Sequence, residues 1–303
     1  MNAKHLTLVL IAAFAVPAAN AAQTIDRTLK TGANPAVEIS NVAGAVTITG
    51  WDRQEVKVTG VIDNDKDEFE FSADDKRVVI KVRPERRTRH EHDGGDSRHN
   101  GARLDIKVPS AASLDVEVVS ADTKVDGVRG SQRLESVSGD IGTAAFDEEL
   151  ELTSISGDVD VRGQNGRADV RLASVSGAVT ARGLKGEVEA KSVSGDLNLD
   201  VDGAARLRLS AVSGDITAAA RLADATRVEM ESVSGSVKLG LKQPVNAEIE
   251  IESFSGNIDN CFGPKSERAS KYAPGRELRF TQGSGSARVN ISTLSGTISL
   301  CDR

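Results

Sequence analysis

"ADVRLASVSGAVTARGLKGEVEAKSVSGD", residues 168–196, is the stretch that decides the fold. Val170 and Leu172 alternate with Asp169, Arg171 and Ala173, the period of a half-buried strand. After Ser174 the alternation changes phase. Val175, Gly177, Val179 and Ala181 share one face, read as inward, and Ser176, Ala178 and Thr180 share the other. The next copy repeats the pattern, with Val188, Ala190 and Ser192 inward, then Val193, Gly195, Leu197 and Leu199. A change of phase between adjacent residues marks a corner. Each unit therefore holds two strands meeting at the SVSG phrase, closed by a return such as "RGLKGE" (182–187) whose Leu184 points inward.

The phrase recurs with its glycine at 139, 157, 177, 195, 214, 235, 256 and 296, so the successive gaps are 18, 20, 18, 19, 21, 21 and 40. Degenerate copies stand at 118–122 ("VVSAD") and 40–46 ("SNVAGAV"). A fixed period near twenty announces a solenoid, and strands of equal phase in successive turns stack in parallel about 4.8 Å apart. The expected fold is all-β: a single-stranded right-handed parallel β-helix of about 18–21 residues per turn, the hand following the rule for parallel crossovers. Capping strands are expected at the N-terminal end, because an open solenoid end exposes core and backbone groups.

The chain divides accordingly. Residues 1–21 read as a secretory signal peptide: Lys4, an apolar run from Leu6 to Val16, and Ala19-Asn20-Ala21 before the cut. Residues 22–120 form an N-terminal strand and capping region with a charged loop at 83–101, and 121–303 the repeats, interrupted by a loop at 262–277. No later stretch is apolar enough to span a membrane, so the chain is expected to be exported, to the periplasm or the cell surface. A net charge of −7 speaks against nucleic acid as a partner. Only 3% of residues are aromatic, too few for stacking clefts. Cys261 and Cys301 each follow a phrase glycine by five residues; equal phase on adjacent turns, in an exported chain, implies a disulfide.

The corner residues are the remaining candidates. The first serine is expected inward and the second outward. The corner group is Ser138, Gly139 and Asp140, then Ser156, Gly157 and Asp158, then Ser194, Gly195 and Asp196, then Ser213, Gly214 and Asp215, each second Ser and Asp outward and each Gly inward. Its Ser and Asp are expected to bond their own turn's amides, with Gly at the bend. A calcium ladder of Asp140, Asp158, Asp196 and Asp215 is the rival reading, weakened where Ala178, Ser236, Asn257 and Thr297 interrupt the column. His90, His92 and His99 share one charged loop with no rigid element to set a metal's geometry. Acids and bases look scattered along the repeats, with a local acidic patch at Glu248, Glu250, Glu252 and Asp259, so no catalytic group is assigned and no cofactor or metal is expected.

The "GAVTITGWD" opening, the "LDIKVPSAASLDVEVVSAD" entry and the train of SVSGD corners, in that order, resemble the bacterial "putative adhesin" family of β-strand repeats. The resemblance spans roughly residues 35–302; it implies an exported β-helix-like domain and brings no catalytic residues. The functional expectation is a non-enzymatic envelope protein with an adhesin-like β-helix that binds an unknown envelope protein or glycan through polar surface ladders. A polysaccharide-lyase-like enzyme and a self-assembling envelope scaffold are the alternatives.

Overall fold

The computed structural model describes residues 22–85, 101–270 and 274–302. The leader 1–21 and the three histidines of the charged loop lie outside them. All regular structure in the described residues is β. Strands before and after the corner build two separate parallel ladders. Before it, Gln132–Ser136, Leu150–Ser154 and Asp169–Ser174 stack in parallel, followed by the later halves of Val179–Ser192 and Leu197–Ala211 and then Arg227–Ser234. After it, Ile141–Ala145, Val159–Gly163, the earlier halves of the same two long strands, Ile216–Arg221 and Val237–Lys242 do likewise.

In-phase register makes the core. Leu152 faces Leu172, Leu172 faces Ala190, Ala190 faces Leu209 and Leu209 faces Met230, all buried. Every turn adds a layer of Val, Leu, Ile or Ala to one continuous interior, which is what stabilises strands that cannot bury a face alone. Leu184 is buried as expected, at a return where the register of Val179–Ser192 slips on either side of it.

The two ends depart from a chain that winds turn after turn in sequence order. At the N-terminal end, Ala36–Trp51 lies between Ser113–Asp126 on one side and a rung made of Arg77–Arg83 and Ala102–Pro109 on the other. That outermost rung is covered by antiparallel strands: Glu68–Ala73 on Arg77–Arg83, Glu55–Ile62 on Ala102–Pro109, and Gln23–Lys30 on Glu55–Ile62. The boundary drawn at 120/121 falls inside Ser113–Asp126, and the parallel ladders continue past it to residue 36.

At the C-terminal end the last strands of the sequence are not the last of the stack. Ala287–Ser295 pairs with Arg227–Ser234 on one side and with Ala247–Ser255 on the other. Ile298–Asp302 likewise sits between Val237–Lys242 and Ile258–Asn260. The chain thus leaves a rung-wide opening, builds the end rung, and returns to fill it. The 40-residue gap holds the end cover: Arg276–Gln282 runs antiparallel on Ala247–Ser255, with Glu267–Arg268 beyond it. The stack order of corner glycines is accordingly 235, 296, 256.

Candidate functional site

The corner is where the described surface is most unusual. Ser136, Ser154, Ser174, Ser192, Ser232 and Ser253 are buried, as their phase requires. The Ser136 hydroxyl donates to the Gly139 carbonyl at 2.7 Å and accepts the Gly139 N–H at 3.0 Å; Ser154 and Ser174 donate in the same way to Gly157 and Gly177. At the N-terminal end Asn41 fills this column and donates to the carbonyls of Ala43 and Ala102. The glycines are needed for close approach between rungs. A Cβ on Gly177 would stand 2.0 Å from the Gly157 carbonyl oxygen, and one on Gly195 equally close to that of Gly177.

The second residue of the phrase corrects the alternation. Val175 and Val193 do not point inward with their glycines; they are 44% and 45% exposed. The corner places two consecutive residues outside, the aliphatic one and the second serine, before the next side chain turns in. Backbone hydrogen bonds continue through the bend, Val175 N–H to the Ser154 carbonyl and Ser176 N–H to that of Ile155. Stacking therefore aligns the exposed residues into one stripe: Val42, Val119, Val137, Ile155, Val175, Val193, Val212, Val233, Leu294 and Phe254 in stack order. Exposure rises to 54% at Leu294 and 63% at Phe254. A shallow groove of about 770 Å³ follows the stripe over its last rungs, from Ser154 to Phe254.

The outward polar residues also bond differently from expectation. Ser138, Ser156 and Ser213 donate to the carbonyls of Val119, Val137 and Val193 on the preceding rung, at 3.2, 3.0 and 3.1 Å. Asp140 accepts the N–H of Asp158, Asp158 that of Ala178, Asp196 that of Asp215, and Asp215 that of Ser236, all at 2.8–2.9 Å. These carboxylates tie rung to rung instead of closing their own turns. The reason is register: parallel stacking brings the neighbouring rung's amide to each carboxylate, and Ser194 remains an exposed member of the same column. Among the described residues no group of three or more His, Cys, Asp or Glu is placed to hold a metal ion.

Charges that look scattered along the sequence fall into order in space. Asp115, Arg133, Glu151, Arg171, Glu189, Arg208 and Glu229 occupy one column before the corner, strictly alternating in sign. Arg208 reaches Glu229 at 2.5 Å, and Arg133 contacts both Glu135 and Glu151, at 3.0 and 3.5 Å. Hydrogen bonding to Lys191 holds the Glu189 carboxyl below its ordinary range, and hydrogen bonding to Glu229 raises the Arg208 guanidinium. The acidic patch at Glu248, Glu250 and Glu252 is answered by bases: Arg279 lies 2.8 and 2.9 Å from the latter two, and Arg288 3.6 Å from Glu248. Cys261 and Cys301, on adjacent rungs, form a disulfide with Cα atoms 4.8 Å apart.

Sequence reasoning missed the stripe and the alternating column. The first was signalled by an aliphatic or aromatic residue at one position of every phrase; the second needed the rungs written beneath one another. A second shallow depression, of about 590 Å³, lies after the corner, where Asp122, Lys124, Asp140, Asp160 and Arg162 surround Thr47 and Gly142.

Together the ladders and columns define the class: an all-β, solenoid-like protein that presents aligned side-chain columns to its surroundings. The chain belongs to the Toastrack DUF4097 family, which matches residues 35–301. No curated protein matches it. Solved structures similar to it include the following three. One is a "putative adhesin" from Bacteroides fragilis, with 13% identity and a TM-score of 0.41, covering 92% of this chain and 97% of that one. A "putative adhesin" from Parabacteroides distasonis shares 11% identity at a TM-score of 0.41, covering 91% and 97%. A "putative cell adhesion protein" from Clostridium sporogenes shares 11% at a TM-score of 0.25, covering 93% and 100%.

Proposed function

We propose that this is a non-enzymatic, exported envelope protein, in the periplasm or on the cell surface, whose right-handed β-solenoid displays polar ladders to an envelope protein or glycan. The observation that carries the reading is the aspartate column. Asp140, Asp158, Asp196 and Asp215 each have one carboxylate oxygen fixed by the next rung's N–H, which leaves the other oxygen aimed from a rigid frame. A partner meeting groups already held in place loses less freedom on binding. The depression beside Asp140, with Lys124 and Arg162 at its rim, offers both signs of charge to sugar hydroxyls or a peptide. The non-enzymatic reading is supported by the commitment of acids and bases to one another along the columns. The export reading rests on residues 1–21.

The test is capture from envelope extract with the purified protein and with an Asp140→Asn/Asp158→Asn/Asp160→Asn variant. Asn keeps an oxygen for the neighbouring amide but removes the charge. A protein or glycan retained by the parent and released by the variant is the expected result. Nothing above background, or release of unsaturated products from an acidic polysaccharide, would overturn the reading.

A further inference from the structure

A band of exposed aliphatic side chains on a rigid ladder needs an occupant, since contiguous apolar patches of this size mark interaction surfaces. We propose that the occupant is a second copy of this chain, packed with its stack antiparallel across a two-fold axis between rungs 187–202 and 206–221.

The charges beside the stripe select this partner and this direction. Six residues toward the start of each strand from the stripe runs a second column, and it is polarised. Glu149, Asp169 and Glu187 occupy successive rungs, followed by Arg206, Arg227 and Arg288. A two-fold along the strand direction, midway between Glu187 and Arg206, lays the acidic half of one copy on the basic half of the other. Glu187 meets Arg206 of the second copy, Asp169 meets Arg227, and Glu149 meets Arg288. Within their own chain Asp169 and Arg227 make no ion pair among the described residues, and this arrangement supplies one to each. The alternating column obeys the same operator: Glu189 meets Arg208 and Arg171 meets Glu229. With the stacks parallel, the two-fold would run along the stack and reverse the strand direction, so the stripe could not meet the stripe while the charge columns met one another.

The same operator sets the stripe upon itself. Val193 faces Val212 of the second copy, Val175 faces Val233, Ile155 faces Leu294 and Val137 faces Phe254. Those eight rungs span seven spacings of about 4.8 Å, and the stripe stands about 20 Å from the polarised column. The resulting face is roughly 700 Å² on each copy, within the range of standard specific interfaces. An isologous contact of this kind closes as a dimer and does not propagate into a filament. It leaves the aspartate column free, so it does not depend on the display function proposed above.

Sedimentation of the purified protein across micromolar concentrations tests the assembly. A dimer is expected, weakened by salt because its rim pairs are screened. A Val193→Asp/Val212→Asp variant changes only exposed positions and keeps the fold, read by circular dichroism; its dimerisation should fall on the order of 100-fold, since charges are placed at the interface centre. Glu187→Arg should weaken the dimer, and Glu187→Arg/Arg206→Glu should restore it. A short bis-maleimide should join a Val175→Cys chain to a Val233→Cys chain far better than either to itself. A monomer at every concentration, a dimer indifferent to Val193→Asp/Val212→Asp, or preferential Val175→Cys self-joining would overturn the proposal. So would a monomer that binds phosphatidylcholine vesicles through the stripe, which would assign the surface to lipid.

Discussion

Ser154 and Ser192 hold equivalent buried positions in one column, one turn apart on either side of Ser174, yet they are not equivalent energetically. Ser154 donates to the Gly157 carbonyl, whereas the Ser192 hydroxyl is buried with no hydrogen-bond partner among the described residues. Removing a satisfied hydroxyl while leaving its carbonyl behind costs about 1 kcal/mol, and a buried polar atom without a partner is already a penalty. Ser154→Ala should therefore lower the denaturant midpoint, while Ser192→Ala should leave it unchanged or raise it. The chain makes the second substitution itself at Ala211. At this scale the inward serine and the glycine were legible, because a period of two identifies a buried position and a recurrent Gly identifies a tight one. Val175 was not legible. Alternation assumes that every residue reverses direction, and a bend that puts Val175 and Ser176 out together breaks the rule.

Among elements, the intercalated end turns make the strongest departure from a simple solenoid. In an array built in sequence order, removing the last turn exposes one new end and costs little more than that turn. Here, removing residues 287–303 would empty the position between 227–242 and 247–260 and take from Ala247–Ser255 and from Ile258–Asn260 the one parallel neighbour each has. A chain ending at 286 should lose amide-exchange protection over 247–260 as well, and protection confined to the deleted turn would contradict the stacking. The disulfide joins the inserted strand to the end rung across a sequence separation of 40. By chain entropy its closure stabilises by about 4 kcal/mol. Cys261→Ser/Cys301→Ser should show a loss of up to that size in chemical denaturation, and non-reducing peptide mapping of the parent should find the two cysteine peptides joined. The disulfide was legible because equal phase fixes a column. The stack order was not, because phase does not say which turn lies above which once a gap spans two periods.

Over the whole molecule the ion pairs act as a pH-dependent brace along the stack. Hydrogen bonds from Lys81 and then Arg77 hold the Glu38 carboxyl below its ordinary value, and Lys191 does so for Glu189. Both pKa values are thus lower folded than unfolded, so their contribution is complete above the ordinary carboxylate pKa of about 4.3 and is lost as pH falls through the folded values. Arg77, raised by its hydrogen bond to Glu38, stays charged throughout that range. Charge order of this kind is invisible in composition, where 38 bases and 45 acids give only a modest net charge; it emerges when rungs of unequal length are brought into register. Thermal midpoints followed from neutral pH down to about pH 3 should decline below about pH 4. Glu38→Gln/Glu189→Gln should flatten that decline while lowering the neutral-pH midpoint only slightly, since exposed pairs contribute about 0–1 kcal/mol each. Equal slopes in the two proteins would mean that these two carboxylates are not what acid removes.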